Sequence, residues 1–561
     1  MSFNKSVFTK NDFNKALKLN RVSKYYHLVI ITSVLFLSIT FSTHAQTESF
    51  PSRIDLPINK FMPNPFVKLD GTGPKSLEEW PAHRKYLLNL IQHYLYGRVP
   101  PRPTWKELSF EQISDVSYTP PDSKIVGRKQ VYKLTINRNS LSHSFNITLY
   151  RPGEKKTYPV LIANYADNSY GPEEGVRRGY VFVIFDRREV ASDEKVAFDR
   201  TKGLFGLYPE PEYDWRTIAA WGWAYQLVID VVDSLGLLDT NKIMVTGHSR
   251  GGQGAMAGAI LDERIDMVAP STGGPWSLGS HRQRDTAGFR GDWDMSYFAR
   301  TSQPHWYHPR YWDFGYDKKY MTSSYRQNKL PWDVSTLVAL VAPRAICHVS
   351  SVDDKINNWL AHEVGVRTGQ LVHSWWGEDR SKWVRLHWRG VTNEFGQKGH
   401  DMGIEEYNAI YDFSDEYFYD STPGPTSWNV SPGKDTWEYE PAKYPLLIDW
   451  QLPPKQVPIY KEGREVEQST ERLLPELKRI INRLTSGNTV RTSGLNSSNN
   501  QIKQIKIYNL TGTQIAEINS ESSIIGWENS AIQPGIHIAH VVVVTAKIQS
   551  IHQFKILVAG H

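Results

Sequence analysis

The sequence predicts an α/β protein in which a mostly parallel sheet lies between two layers of helices, followed by a small C-terminal all-β sandwich. Short apolar runs alternate with helical patterns over residues 60–420, and that alternation is typical of parallel sheets. A second observation is a serine set between glycines, where one apolar run ends and a helix begins. A third is the change to short alternating strands with turn signals from about residue 501.

The expected elements follow in order along the chain. A helix is expected from about Ser76, because apolar residues recur at helical spacing, and it should stop at Gly97 ahead of two prolines. Two strands around a polar turn are expected within residues 129–153. Further strands are expected in YPVLIANYA, GYVFVIFDRREV, NKIMVTG, IDMVAPST and RAICHVSS, and helices in WGWAYQLVIDVVDSLGL and GQGAMAGAILD. A Trp- and Tyr-rich insertion is expected between Pro275 and Trp332.

The two ends of the chain differ from this central α/β domain. Residues 1–45 combine a basic start, the apolar run LVIITSVLFLSITF and a small-residue exit at Ala45, which is the pattern of a secretory signal peptide. Residues 421–485 are rich in proline and contain the short amphipathic pattern STERLLPELKRIINRL. A flexible linker is expected at residues 486–500, leading to the predicted β-sandwich of residues 501–561.

Composition excludes several classes of function. The chain has 561 residues with 65 basic and 59 acidic ones, so its net charge of +6 indicates a mixed surface and no nucleic-acid partner. After the N-terminal run, no stretch is apolar for long enough to span a membrane, so the mature protein is expected to be soluble and exported. The single cysteine, Cys347, excludes an internal disulfide and is expected to be a core residue. The scattered histidines lack ligand spacing, so no metal is expected.

A candidate nucleophile lies in Gly247-His248-Ser249-Arg250-Gly251, which fits the pattern G-x-S-x-G. The motif follows a predicted strand and precedes a predicted helix, which is the context in which it marks a nucleophilic serine. The glycines leave room for a sharp turn, and the helix start directs backbone N–H groups at a carbonyl under attack. The motif therefore predicts an α/β-hydrolase fold with Ser249 as its nucleophile.

A nucleophilic serine needs a base and a carboxylate that orients the base, and in this fold the acid precedes the histidine in the chain. His400 is the expected base, since it lies in a turn that leads into an amphipathic helix. The competing histidines lie on or near predicted elements; they are His348, His362, His373 and His387. The acid is expected just after the strand RAICHVSS, where Asp353 and Asp354 both lie.

With these residues, the chain resembles the glucuronoyl esterases of carbohydrate esterase family fifteen over about residues 80–418. The resemblance rests on a W-x-x-x-R helix ending in Tyr-Gly, on GHSRGG followed by GAMAGAILDERIDMVAPSTGG, and on the GHD at His400. It implies a secreted serine esterase without a cofactor, which cleaves the ester between 4-O-methylglucuronate on xylan and lignin alcohols. It also implies that Arg250 stabilises the oxyanion through its backbone N–H and its guanidinium.

The acid position departs from the pattern of many family members. Ser271 stands where those members have a catalytic glutamate. The resemblance then assigns the acid role to the end of the later strand, as in members that use an acid there. Counting from Arg344 selects Asp354, with Asp353 as the second choice.

The expected substrate-binding residues also depart from the family pattern. Gln253 stands where the family usually has a lysine that reaches the sugar, so a positive charge is missing and the substrate could differ from the usual methylglucuronate ester. The tryptophan that usually follows the acid is replaced by Ile356, and Trp359 lies nearby. Gln253 and Trp359 are therefore the expected substrate-binding residues.

The C-terminal region resembles the sorting domain of the Bacteroidetes type nine secretion system. The resemblance rests on IYNLTG and QPGIHIAHV, with His537 where tyrosine is common. It implies the secretion machinery as a partner and a secreted or cell-surface location. A generic sandwich or a carbohydrate-binding module is the alternative.

Three functions stay open at this point. The first is a glucuronoyl esterase acting on plant cell-wall polysaccharide, and the second is an acetyl or feruloyl esterase on such a polysaccharide. The third is a catalytically degenerate member that binds glycans through its aromatic insertion, since aromatic rings stack on sugars as well as packing cores. Intact Ser249, Arg250 and His400 argue against the third.

Overall fold

A computed structural model describes residues 49–165, 170–283, 295–315, 324–354, 358–390, 396, 398–429 and 446–453, and the backbone of six strands between residues 490 and 558. The predicted signal peptide and the amphipathic pattern at residues 469–484 lie outside the described residues. The chain divides into two units, Met1–Pro57 and Ile58–His561, and all features below belong to the second. Among the described residues, no helix has the length and hydropathy needed to cross a membrane.

The centre of the fold is a nine-stranded sheet in the order β1-β2-β3-β5-β4-β6-β7-β8-β9. Strands β1, β2 and β3 are antiparallel neighbours, β3 pairs antiparallel with β5, and all later pairs are parallel. The strands are β1 Leu108–Tyr118, β2 Gly127–Arg138, β3 Leu141–Pro152, β4 Tyr158–Ala163, β5 Val181–Phe185, β6 Leu238–His248, β7 Met267–Ser271, β8 Ala345–Ser351 and β9 Val384–Arg389.

Helices cover both faces of this sheet. They are α1 Trp80–Ile91, α2 Tyr170–Arg178, α3 Arg187–Val190, α4 Gly203–Leu207, α5 Thr217–Ser234, α6 Arg250–Leu261, α7 Met295–Thr301, α8 Pro309–Trp312, α9 Ser324–Gln327, α10 Val334–Val341, α11 Trp359–His373 and α12 Ile404–Tyr419. Strand β8 shows the two faces, because Cys347 packs in the core cluster with α12, whereas the ring of its neighbour His348 contacts His362 in α11. The prediction of a parallel sheet between helical layers is confirmed.

Close packing of α5 against α6 fixes the helix that starts at the candidate nucleophile. Helix α5 is buried along almost its whole length, which explains why its sequence is apolar nearly all round. A Cβ placed on Gly222 would lie 2.7 Å from Ala257 Cβ and 2.8 Å from the backbone N of Gly258. The two helix backbones therefore approach as closely as glycine allows, and α6 has little freedom to shift.

Several elements of the central domain were absent from the expectations drawn from the sequence, among them helices α10 and α11, and strands β1 and β9 and helix α2 show why. Strand β1 lies at the sheet edge with mostly exposed or half-buried side chains, so it shows no apolar run. Strand β9 carries polar side chains that are buried by pairing, such as Arg389 with Glu406 at 2.6 Å. Helix α2 contains two glycines and a proline in nine residues, which weakens its helical pattern.

The C-terminal strands form an antiparallel sheet in the order β12-β11-β14-β15. The strands are β10 Val490–Arg491, β11 Asn500–Tyr508, β12 Gln514–Asn519, β13 Ile524–Ile525, β14 Gly535–Thr545 and β15 Gln549–Val558. Strand β10 lies within the expected linker and pairs with β13, so the linker contributes a short strand. A two-sheet sandwich with a sorting role stays a prediction.

Candidate active site

Ser249 occupies a strained turn between the last residue of β6 and the first residue of α6. Its backbone angles are φ 55° and ψ −122°, a conformation that side-chain-bearing residues rarely adopt. Its backbone N–H donates to Ser271 O at 2.9 Å, and a Cβ placed on Gly252 would lie 2.8 Å from the same oxygen. The strain and the tight glycine packing match the strand-to-helix turn that presents a nucleophilic serine.

Asn164, at the carboxyl end of β4, supports this turn through a side-chain hydrogen bond. Its side chain is fully buried, and its Nδ2 donates to the carbonyl oxygen of Gly251 at 2.9 Å. A Cβ on Gly251 would lie 2.6 Å from the Asn164 Oδ1, so the glycine makes room for the amide. Sequence reasoning missed Asn164; the only signal was its place just after a buried strand.

His400 and Asp354 are brought together as expected for a base and its acid. His400 Nδ1 lies 2.7 Å from Asp354 Oδ2, and the Asp354 side chain is 1% exposed while that of His400 is 24% exposed. Asp354 follows β8, and His400 lies in the turn before α12. Since Nδ1 faces the carboxylate, Nε2 is the nitrogen left to exchange a proton with a nucleophile.

Asp353 has different partners from its neighbour. Its Oδ2 accepts the backbone N–H of Gly399 at 2.7 Å, and its Oδ1 accepts the Ser351 hydroxyl. The buried Arg389 donates to the carbonyl oxygen of the same glycine at 2.8 Å. Asp353 and Arg389 therefore hold the turn that carries His400, whereas Asp354 holds the imidazole itself.

His248 connects the serine turn to the histidine turn. Its ring centroid lies 4.5 Å from that of His400, and its Nε2 lies 3.2 Å from the His400 carbonyl oxygen. Its Nδ1 lies 3.0 Å from Ser271 Oγ. Burial, aided by the nearby His400, lowers the pKa of His248 to about 3, so this imidazole is neutral at ordinary pH.

The other histidines near β8 and α11 do not offer a free imidazole to a substrate. His348 and His362 are fully buried against each other, and burial lowers the pKa of His362 to about 4. His373 faces two backbone carbonyls, and His387 pairs with Glu405 at 3.0 Å. These contacts leave His400 as the partly exposed imidazole with an acid partner.

Arg250, the residue after the serine, is held by a carboxylate and an indole. Its guanidinium donates to Asp193 Oδ2 at 2.9 Å and lies 5.1 Å from the centroid of the Trp306 ring. Trp306 Nε1 donates to the other oxygen of Asp193 at 3.2 Å. The Arg250 side chain is 38% exposed, so these contacts orient it while leaving it accessible to solvent beside the Ser249 turn. Asp193 lies in a loop without a motif and was not foreseen.

A second guanidinium group, that of Arg187, lies near the Asp193 carboxylate that binds Arg250. Arg187 donates to Asn164 O at 3.2 Å and lies 3.9 Å from the same Asp193 carboxylate. Burial lowers the pKa of Arg187, while Asp193 acts in the opposite direction. Two guanidinium groups thus share one carboxylate beside the Ser249 turn, so positive charge exceeds negative charge there.

Gln253 lies one helical turn after the serine and is only 5% exposed. Its Oε1 accepts the hydroxyl of Tyr307 at 2.8 Å, and Tyr307 stacks on Trp276 with centroids 5.0 Å apart. The aromatic insertion therefore packs on the first turn of α6. The contact with Gln253 shows that part of the aromatic insertion packs in the protein interior and is not an exposed surface on which sugars could stack.

Trp359 begins α11 and is half-buried, with its ring 6.5 Å from that of Trp388. The preceding Ile356 lies outside the described residues. Cys347 is buried in β8, and burial raises the pKa of its thiol, as expected for a core residue. Within the described ranges, no group of three or more His, Cys, Asp or Glu side chains is placed to hold a metal ion.

Sequence comparison relates the chain to a known group of enzymes. The model of the fungal glucuronyl esterase family matches residues 134–377. A 4-O-methyl-glucuronoyl methylesterase from Phanerochaete carnosa is 24% identical over 372 residues, which cover 62% of this chain and 80% of that protein. For one from Podospora anserina, identity is 22% over 351 residues, covering 62% of this chain and 64% of that protein. The chain is related to the glucuronoyl esterases.

Solved structures of glucuronoyl esterases share the fold of the central domain. The family 15 esterase from Caldicellulosiruptor kristjansonii has a TM-score of 0.52 and 22% identity, covering 70% of this chain and 99% of that chain. The esterase from Solibacter usitatus has a TM-score of 0.52 and 17% identity, covering 65% and 100%. The resemblance to glucuronoyl esterases inferred from GHSRGG is confirmed at the level of relatedness and fold.

Proposed function

We propose that this protein is a serine carbohydrate esterase of the glucuronoyl esterase type, which hydrolyses an ester of glucuronate on plant cell-wall glucuronoxylan. The observation that carries the proposal is a serine on a strained strand-to-helix turn, together with a histidine whose Nδ1 lies 2.7 Å from a buried carboxylate and whose ring contacts the residue before that serine. The curated relatives named above are methylesterases of 4-O-methylglucuronate, which supports this choice of acyl group.

In the proposed reaction, Ser249 Oγ attacks the ester carbonyl while His400 Nε2 accepts the hydroxyl proton. Asp354 stabilises the imidazolium that forms, because its negative carboxylate accepts a hydrogen bond from Nδ1–H, which keeps its proton. The imidazolium then protonates the leaving alcohol, and an acyl-enzyme on Ser249 remains. Water, deprotonated by His400, hydrolyses the acyl-enzyme and releases the uronate.

Arg250 supplies the electrostatic part of the proposed mechanism. Its backbone N–H lies at the first position of α6, where helix N–H groups face the carbonyl under attack. Its guanidinium, held by Asp193 and Trp306, adds positive charge where the oxyanion develops. Charge of that kind lowers the barrier because it matters most in the transition state.

An acetyl or feruloyl esterase on plant polysaccharide is the second candidate, and Gln253 is the residue that favours it. A neutral amide stands at the position where the family usually has a cationic lysine, and its Oε1 is already engaged by Tyr307. A site that makes fewer charged contacts with a uronate should discriminate less strictly against other acyl groups.

A panel of three esters tests both candidates. Benzyl glucuronate, acetylated xylan and methyl ferulate are offered to wild-type protein and to Ser249→Ala as the matched control. Preferred cleavage of benzyl glucuronate supports the leading proposal, and preference for either other ester supports the second candidate. Hydrolysis that persists undiminished in Ser249→Ala would contradict both.

We also propose that the protein is exported, with removal of residues 1–45 and recognition of the C-terminal strands by the type nine secretion machinery. The antiparallel strands between residues 500 and 558 are compatible with such a β-rich sorting domain. Mass spectrometry of protein recovered from the medium tests this, with cleavage after Ala45 and loss of the region after about residue 500 as the expected result. A secreted form that still ends at His561 would instead indicate a retained binding module.

A further inference from the structure

His248 makes three contacts that its place in the G-x-S-x-G motif does not require. The middle positions of that motif are variable, yet this side chain contacts the His400 ring, the His400 carbonyl oxygen and the Ser271 hydroxyl. His248 directly precedes Ser249 in the chain. Its side chain therefore links the serine turn to the turn that carries His400.

Hydrogen-bond chemistry fixes the proton positions in this arrangement. A carbonyl oxygen can only accept, so His248 Nε2, at 3.2 Å from His400 O, must carry the proton. In a neutral imidazole Nδ1 is then an acceptor, and the Ser271 hydroxyl at 3.0 Å is a donor that fits it. With the imidazole kept neutral, an ionised carboxylate at position 271 would require the proton on Nδ1 and would leave Nε2 with none to donate.

We propose that His248 is a positioning residue that ties the His400 turn to the serine turn, and that Ser271 selects the His248 tautomer which makes this tie. This inference rests on the proposed function, because it assigns a task to groups that would otherwise only pack.

The position of His400 depends on contacts made to the turn that carries it. Gly399, directly before His400, has φ 60°, a conformation that favours glycine. Asp353 and Arg389 hold Gly399 from β8 and β9, and Asp354 holds the imidazole from the end of β8. His248 differs from these three residues because it directly precedes Ser249. Its contact with the His400 turn therefore governs the position of His400 Nε2 relative to Ser249.

The test compares His248→Met with His248→Gln. Methionine fills a similar volume but donates no hydrogen bond, whereas the glutamine amide can still donate to the His400 carbonyl oxygen. The control is His373→Met, which removes a fully buried imidazole in α11 that faces the backbone carbonyls of Gly369 and Arg344. The readouts are kcat and KM on p-nitrophenyl acetate, with the thermal midpoint of unfolding recorded for every variant.

His248→Met should lower kcat about 10²-fold with KM nearly unchanged, because misplacement of the base affects the chemical step rather than binding. His248→Gln should recover most of that loss, and His373→Met should keep wild-type kcat at a similar loss of stability. Ser271→Ala, a smaller change, should lower kcat by a lesser factor, and it provides the answer if His248→Met does not fold.

A role in packing alone would give equal kcat values for His248→Met and His248→Gln, or a matching loss in His373→Met, and either result overturns the inference. Unchanged kcat in Ser271→Ala overturns the tautomer assignment. The proposed function fails separately, if Ser249→Ala retains activity on the same ester. A dead Ser249→Ala with an unaffected His248→Met would leave the esterase proposal standing and remove only this one.

Discussion

The serine half and the histidine half of the candidate site are built by different means. The serine half is held mainly by backbone packing, through a strained turn and glycines in tight contact, and one buried side-chain amide, that of Asn164, supports it. The histidine half is held by side chains, since Asp353 bonds to Gly399 and Asp354 bonds to His400. Backbone packing demands fixed residue types at fixed spacing, whereas side-chain bonds can come from anywhere in the fold.

The largest expected effect removes the nucleophile from the serine half. Ser249→Ala should lower kcat by about 10³-fold or more, because alanine is small enough for the turn but cannot attack a carbonyl. Steady-state kinetics on any cleaved ester measures this, with circular dichroism confirming that the fold persists. A variant that keeps a tenth of the activity would remove Ser249 from the mechanism.

Loss of the acid should be nearly as severe in the histidine half. Asp354→Asn should lower kcat by roughly 10²–10⁴-fold, because an amide cannot stabilise the imidazolium of His400. Circular dichroism and the unfolding midpoint serve as controls for folding. Activity close to wild type would show that another carboxylate orients the base.

Arg250→Ala should cost about 2–4 kcal/mol of transition-state stabilisation and appear in kcat with little change in KM. The guanidinium is oriented by Asp193 and Trp306, so Arg250→Lys should recover little, since an ammonium cannot reproduce the planar contacts. Steady-state kinetics on the same ester compares the two variants. Near-wild-type kcat in Arg250→Ala would reduce this side chain to a surface group at a helix start.

In both halves, the difference between local sequence signals and tertiary contacts explains how far the sequence could predict the site. Ser249 was predictable because its turn leaves a local signature. Chain order indicated His400 and an acid after β8, and the family resemblance selected Asp354 over Asp353. The amide Asn164 and the carboxylate Asp193 were not predictable, because each acts through tertiary contacts and neither lies in a motif.

The strands of the sheet also differ in whether their local sequence or their tertiary contacts determine them. The parallel strand β4 is buried along its whole length, so its sequence is a continuous apolar run that indicates a strand directly. Strand β1 has one neighbour and an exposed face, and nothing in its sequence distinguishes it from a loop. The shared hydrogen bonds of the sheet, rather than local preference, determine its conformation.

Removal of the Asn164 side-chain amide tests the serine half without changing a group that takes part in the reaction. Asn164→Ala should lower the free energy of unfolding by about 1–3 kcal/mol, because the Gly251 carbonyl loses its buried donor. A looser turn should also lower kcat about tenfold. Urea unfolding and kinetics measure the two effects, and an unchanged kcat beside a clear loss of stability would show that packing does not set the serine geometry.

The smallest expected effect concerns Asp353, because its carboxylate reaches the base only through the backbone of Gly399. In Asp353→Asn the amide oxygen can still accept the Gly399 N–H, while the amide nitrogen turns to the Ser351 hydroxyl, which can accept as well as donate. The kcat should therefore fall only a few-fold, and Asp353→Leu, which keeps neither bond, should lose about tenfold. Parallel kinetics of these variants and Asp354→Asn would show whether the adjacent carboxylates have separate tasks. If Asp353→Asn proved as damaging as Asp354→Asn, the histidine half would depend on a shared pair of acids rather than on one acid and one backbone anchor.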